Sequence, residues 1–208
     1  MKLIYTPGSP FARKVRVVAR ECGHQLTEIT EHPLAEGSAV PNYNPLGKVP
    51  ALVLDDGQQW VDSPVLCEYL DQLGREPTLL PHAGPTRFEV LQRQALADGA
   101  MDAAVHMVME LRRPPQHRSP FWLQRWHDAI MRTLTMLERA APSFADRLDL
   151  GVISTVCLLD YLDFRLAEVV TYRTQYPALV ACLERNNALP SFRDTHPAPL
   201  AANRLKRT

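Results

Sequence analysis

Asn44-Pro45-Leu46-Gly47-Lys48-Val49-Pro50-Ala51-Leu52-Val53-Leu54-Asp55-Asp56-Gly57-Gln58-Gln59-Trp60-Val61-Asp62-Ser63-Pro64 is the segment whose reading decides the fold. Two prolines and a glycine in its first seven residues predict a loop. Ala51-Leu52-Val53-Leu54 and Gln58-Gln59-Trp60-Val61 flank Asp55-Asp56-Gly57, and the Asp-Gly step predicts a β-hairpin. Ser63-Pro64 then opens a helix, because serine caps well and the first helical turn does not need the N–H that proline lacks. Val65, Leu66, Tyr69, Leu70 and Leu73 form the expected apolar stripe of that helix. A proline entering a sheet from a loop is a candidate for a cis peptide bond, which costs little only before proline. A cis turn at Val49-Pro50 would point the Val49 N–H and C=O outward as a free pair for an extended peptide. A plain rigid loop is the alternative.

Toward the N-terminus, Lys2 to Tyr5 reads as a strand stopped by Thr6-Pro7-Gly8. Ser9 and Pro10 start a helix whose Phe11, Val15, Val18, Ala19 and Cys22 share a face, and Gly23 ends it. Thr27 to Glu31 reads as a second strand. Toward the C-terminus, Gly74 to Pro85 has a linker's composition, and beyond it the pattern is helical throughout. Helices are predicted from Thr86 to about Arg112, from Ser119-Pro120 to near Ala141-Pro142, from Leu150 to about Val169, and from Pro177 to Asn186-Asn187. The third is very apolar and is therefore expected at the centre. The tail from about residue 198 is expected to fray.

Composition narrows the partners. Lys plus Arg and Asp plus Glu both count 23 in 208 residues, so no global field gathers nucleic acid or an anionic membrane, and neither is expected as a partner. Met1 to Pro7 is too short an apolar run for a signal peptide, and no stretch reaches the roughly 18 apolar residues of a membrane span. Cys22, Cys67, Cys157 and Cys182 lie far apart with no Cys-x-x-Cys pair, so they predict buried thiols in a reducing compartment, neither a metal site nor a dithiol. The seven histidines show no metal spacing, and no metal is expected; His24, His82 and His196 are read as solvated.

Three features carry chemistry. Ser9 stands at a helix start, where free N–H groups and the dipole favour an anion and a hydroxyl can donate to a thiolate and lower its pKa. Ser-Pro recurs at Ser63-Pro64 and Ser119-Pro120, so the same grammar also serves a plain cap. Val49-Pro50 is the second feature. Asp62-Ser63 is the third: a capped helix start seats a carboxylate while an adjacent acid accepts from an ammonium, which suits a zwitterionic ligand. Read as structure, Ser63 is the cap and Asp62 a dipole-favourable acid.

Ser9-Pro10-Phe11-Ala12-Arg13-Lys14-Val15, Asn44 to Pro50, and Asp62-Ser63 before an apolar helix together resemble the glutathione transferase superfamily, in its bacterial serine-type form. The likeness runs over nearly the whole chain, and Tyr161-Leu162-Asp163-Phe164-Arg165 is similar to the helical part of bacterial members. It implies an α/β thioredoxin-like domain (βαβ-ββα) over 1–75, a linker over 76–86, and an all-helical domain over 87–208. It implies that Ser9 activates the glutathione thiol, with Tyr5 or Thr6 in reserve. It implies further that Val49, before Pro50, pairs with the cysteinyl backbone and that Lys48 lies near the glycine carboxylate. Asp62 and Ser63 then hold the γ-glutamyl end, and Phe11 belongs to the same contacts.

The activity implied is transfer of glutathione, as co-substrate, to a small apolar electrophile by a cytoplasmic, detoxifying homodimer. A non-catalytic binding or regulatory module and a glutathione-dependent isomerase or lyase are the alternatives. Serine at position 9 and alanine at 12 exclude mixed-disulfide chemistry there. Two departures stand out: Asp62 where the family often has Glu, and Val152 where the helix after Asp149 would complete a capping box. His106, Met107, Met109, Arg112 and Arg113 are read either as contacts for the second substrate or as plain core. Phe121, Trp122 and Trp126 are assigned to no surface.

Overall fold

The computed structural model describes residues 1–76, 78–144 and 147–198, so the expected fraying tail and Pro77 of the linker lie outside the described residues. Its elements are β1 (Lys2–Tyr5), α1 (Pro10–Glu21), β2 (Thr27–Thr30), β3 (Ala51–Val53), β4 (Gln59–Trp60) and α2 (Ser63–Leu73). The helices α3 (Pro85–Leu111), α4 (Pro120–Ala140), α5 (Leu150–Leu166), α6 (Pro177–Asn187) and α7 (Pro190–Arg193) follow. The strands form one mixed sheet in the order β2-β1-β3-β4. β1 runs parallel to β2, with Lys2 opposite Thr27, and antiparallel to β3, with Leu3 opposite Leu52. A thioredoxin-like first half thus precedes a helical second half.

The helices start and stop as their sequences dictate. Ser9, Ser119 and Asp149 cap α1, α4 and α5 by accepting the backbone N–H three residues on, and Gly23, at φ +79°, takes the left-handed turn after α1. The missing half of the capping box at α5 is replaced from outside: Arg93 on α3 donates to the second oxygen of Asp149 at 2.5 Å. α5 is buried at every position from Leu150 to Leu162, at the centre of the helical half. It ends at Leu166, short of the expected Val169, and the one-turn α7 was not legible in the sequence pattern.

α1 is buried nearly all round because it is sandwiched between the sheet with α2 on one side and α5 on the other. Its charges are therefore paired. Arg13 donates to Asp160 of α5 at 2.6 Å, and Lys14 to Asp98 of α3 at 2.5 Å. α2 departs from the expected stripe: Val65 and Leu73 are exposed, and the buried face is Ser63, Leu66, Cys67, Leu70 and Asp71. Polar anchoring sets that rotation, since the Asp71 carboxylate accepts from the N–H groups of Leu79 (2.6 Å) and Leu80 (3.0 Å) in the linker. His24 is likewise no solvated residue; its Nε2 bonds the Leu70 carbonyl at 2.8 Å, which also fixes the α1–α2 corner. All four cysteines are free and buried, and burial pushes Cys22 and Cys67 up to about 12 and Cys157 to about 11. Among the described residues no helix is long and apolar enough to cross a membrane.

Candidate active site

Two cavities lie side by side where the two halves meet. The larger, of about 420 Å³, runs from Ser9 past His32, Pro33 and Leu34 to Met109 and Arg112 of α3 and Tyr161 and Arg165 of α5. The smaller, of about 230 Å³, is lined by Asn44, Pro50, Asp62, Ser63 and Asp98, among others. Phe11, Lys48, Val49 and Asp102 line both. All seven residues singled out from the sequence, Ser9, Phe11, Lys48, Val49, Pro50, Asp62 and Ser63, therefore converge on this pair of cavities.

Ser9 is half-buried on the wall of the larger cavity, and its Oγ accepts from the Ala12 N–H at 3.2 Å. The cap uses a lone pair and leaves the hydroxyl proton free to donate. Thr6 lines the same cavity. Tyr5 lines neither: its ring lies under the Arg16 guanidinium, 4.7 Å from the centroid.

The loop before β3 is shaped by one buried amide. Asn44 Nδ2 donates to the Lys48 carbonyl (2.8 Å) and its Oδ1 accepts from the Leu46 N–H (2.9 Å), while Gly47 turns at φ +64°. The Val49–Pro50 peptide is cis, and among the described residues neither the N–H nor the C=O of Val49 has a hydrogen-bond partner. Lys48, next to Val49 in the chain, is exposed and lines both cavities.

At the far end, capping falls one residue earlier than the sequence reading placed it. Asp62 caps α2, accepting the Ser63 N–H at 2.5 Å across from a second cis peptide, Val61–Asp62. Ser63 becomes the first helical residue, fully buried, with a hydroxyl that has no partner among the described residues. A buried hydroxyl left unpaired costs about 1–3 kcal/mol, so the geometry favours a bound polar group here. Asp98 offers a second unpaired oxygen on the same wall; burial holds its carboxyl above the usual range despite Lys14. Asp62, Asp98 and Asp102 thus make the smaller cavity acidic, and among the described residues no group of acids, histidines or cysteines is placed to hold a metal ion.

The helix α3 residues divide. Met109 and Arg112 line the larger cavity; Met107 is core; Arg113 pairs with Glu110; and His106 stacks on Trp126 at 5.5 Å. The motif reading missed Asp98, Asp102, His32 and Arg165. Asp98 and Asp102 sit four apart on α3, a one-face spacing that was readable, but nothing local said which face meets the sheet.

Fold and site define a protein of two halves, a thioredoxin-like sheet domain and a helix bundle, with its site in the cleft between them. Known proteins agree. The family model of the glutathione S-transferase N-terminal domain matches residues 8–73. The uncharacterized GST-like protein YibF of Escherichia coli K12 is 35% identical over 200 residues, 95% of this chain and 98% of that one. The crystal structure of a glutathione S-transferase from Methylobacillus flagellatus KT with GSH bound is 34% identical and superposes with a TM-score of 0.90 over 95% of this chain and 99% of that one. A glutathione transferase family member from Pseudomonas fluorescens Pf-5 with bound glutathione is 38% identical, with a TM-score of 0.90 over the same shares. The chain belongs to the glutathione S-transferase family.

Proposed function

We propose that this chain is a serine-type glutathione transferase, which joins the glutathione thiolate to a small electrophile with a largely apolar body. The observation that carries the reading is the fully buried, unpaired Ser63 hydroxyl, at one end of a groove that runs past the free backbone pair of Val49 to Ser9. In this reading the γ-glutamyl carboxylate meets Ser63 and the start of α2, and its ammonium meets Asp62 with Asp98 or Asp102. The cysteinyl backbone pairs with Val49 as an added strand, and Lys48 takes the glycine carboxylate. That places the sulfur at Ser9, where the hydroxyl and the N-terminus of α1 stabilise the thiolate. Relatives that hold glutathione support the ligand.

The boundaries 1–75, 76–86 and 87–208 follow from the same reading. Four free, buried cysteines fit a reducing, cytoplasmic compartment, and the exposed rings of Phe121 and Trp122 give α4 an apolar face for a second copy in a homodimer. Calorimetry tests the site. Wild-type protein is expected to bind glutathione, and an Asp62→Ala, Ser63→Ala double variant to lose at least about tenfold in affinity, since each group makes a charge-assisted contact. Wild-type protein that takes up no heat at millimolar glutathione would refute the assignment.

A further inference from the structure

The larger cavity has a cationic end that conjugation to an apolar molecule does not use. Arg112 of α3 and Arg165 of α5 both line it, and among the described residues neither guanidinium has a carboxylate partner. Arg112 meets only the sulfur of Met109, at 3.7 Å, and Arg165 lies over the Phe164 ring, 4.0 Å from its centroid. Burial depresses the Arg165 guanidinium, against the pull of the neighbouring Tyr161 phenol, and the charge of Arg112 on the same lining adds to that depression. Two unneutralised guanidiniums at one end of a cavity repel unless an anion joins them. Asp102, a carboxylate on this lining, is ten residues before Arg112 on the same helix, about 15 Å away at 1.5 Å per residue, and it also faces the smaller cavity.

The cationic end is close to where the sulfur would sit. A Cβ built on Gly8 would lie 3.0 Å from Arg165 Nη2, so the guanidinium packs against the backbone of the residue next to Ser9. Tyr161, buried one turn earlier on α5, adds a phenol with no partner among the described residues, kept protonated by burial.

We infer that the second substrate is a short electrophile bearing a carboxylate close to the carbon attacked, and that Arg165 and Arg112, with Tyr161, recognise that carboxylate. The inference rests on the glutathione reading of the smaller cavity. For an α,β-unsaturated carboxylate, the sulfur lone pair forms a C–S bond at the β-carbon. The π pair moves onto the α-carbon and the carboxylate oxygens, and water then protonates the α-carbon; nothing leaves. Negative charge grows on the oxygens that face the guanidiniums, where fixed donors stabilise a transition state most.

The test compares two glutathione thioethers of equal chain length, S-(2-carboxyethyl)glutathione and S-propylglutathione, by calorimetry at pH 7. The wild-type protein is expected to bind the carboxylate form at least about tenfold more tightly, as a charge-assisted contact provides. Arg165→Gln and Arg112→Gln are each expected to shrink that ratio severalfold, and Arg165→Lys to shrink it less. The ratio within one variant cancels any general loss of affinity, and Arg112 is exposed, so its replacement does not challenge folding. Equal binding of the two thioethers by wild type overturns the inference while leaving the glutathione site standing. A ratio unmoved by both glutamine variants also overturns it, and would hand the arginines to glutathione itself. Failure of both thioethers to bind refutes the glutathione site and the inference with it.

Discussion

In the proposed function Ser9 has two tasks for one oxygen, a helix cap and a donor to the thiolate, and the two can be separated by experiment. Its lone pair caps α1 through the Ala12 N–H, while its proton is free toward the larger cavity. Ser9→Ala removes both. The lost cap is expected to cost about 1 kcal/mol of stability. The lost donor to a thiolate is expected to cost roughly tenfold to a hundredfold in kcat/KM, since a hydrogen bond to a charged group contributes about 1.5–3 kcal/mol. Glutathione affinity, which the proposed function assigns to Val49, Asp62 and Ser63, should survive. The pH profile distinguishes a lost donor from a misplaced ligand. Without the hydroxyl the bound thiol ionises at higher pH, so the deficit of the variant is largest in acid and closes as pH rises. A deficit that stays constant with pH would return the thiol to another donor, with Thr6, on the same wall, the first to examine.

At the scale of elements, α1 is tied to β2 by a charged clamp. Arg16 donates to Glu28 through Nε (3.0 Å) and pairs through Nη2 (2.9 Å), and Arg20 adds a contact at 3.0 Å. Burial pushes the Glu28 carboxyl up, but the hydrogen bonds and charges of Arg16 and Arg20 outweigh it and hold the group below its ordinary 4.5. A carboxyl depressed in the folded state stabilises the fold above its unfolded value, and that contribution is lost as pH falls through the folded value. Glu28→Gln is therefore expected to lower stability at pH 7 by about 1 kcal/mol or less, as partly exposed pairs do. It should also flatten the part of the stability–pH curve below about pH 4.5, measured by thermal unfolding. A parallel loss at pH 3 and pH 7 would count against the clamp.

Elements such as these were largely legible in the sequence. The hairpin, the Ser9-Pro10 and Ser119-Pro120 helix starts and the Gly23 stop are local chemistry, and they fell where the residues said. Val65 and Leu73 came out exposed because the rotation of α2 is set by Asp71 reaching the linker and by Ser63 at the cavity, not by the apolar stripe. The cap moved from Ser63 to Asp62 for a similar reason: two adjacent capping residues compete, and the backbone decides between them.

At the scale of the whole molecule, what local patterns could not reveal was which distant side chains complete the cleft. Arg165 and Asp98 join Ser9 and Ser63 only because α1 is pressed between the sheet and α5, and a buried ion pair fixes that contact. Arg13 donates to Asp160 at 2.6 Å, with side chains 1% and 4% exposed, and Arg13 also reaches the Phe192 carbonyl at 3.3 Å while Asn187 donates to Asp160 at 2.9 Å. Four residues before Arg13 stands Ser9, so the pair holds the start of α1, where the proposed function seats the thiolate, against the helix that carries Tyr161 and Arg165. Removing one partner leaves the other charge buried and unmatched: Asp160→Leu is expected to cost about 3–5 kcal/mol in urea unfolding. Replacing both, Arg13→Met with Asp160→Leu, should recover most of that loss, because an apolar pair of similar volume escapes the desolvation of two ions. The double variant then asks what the pair is for. If it refolds to near wild-type stability yet binds S-(2-carboxyethyl)glutathione less tightly than the wild type does, the ion pair sets the registry of the two halves across the cleft. If stability and affinity both return, packing alone sets that registry, and the charges are not needed to align the site.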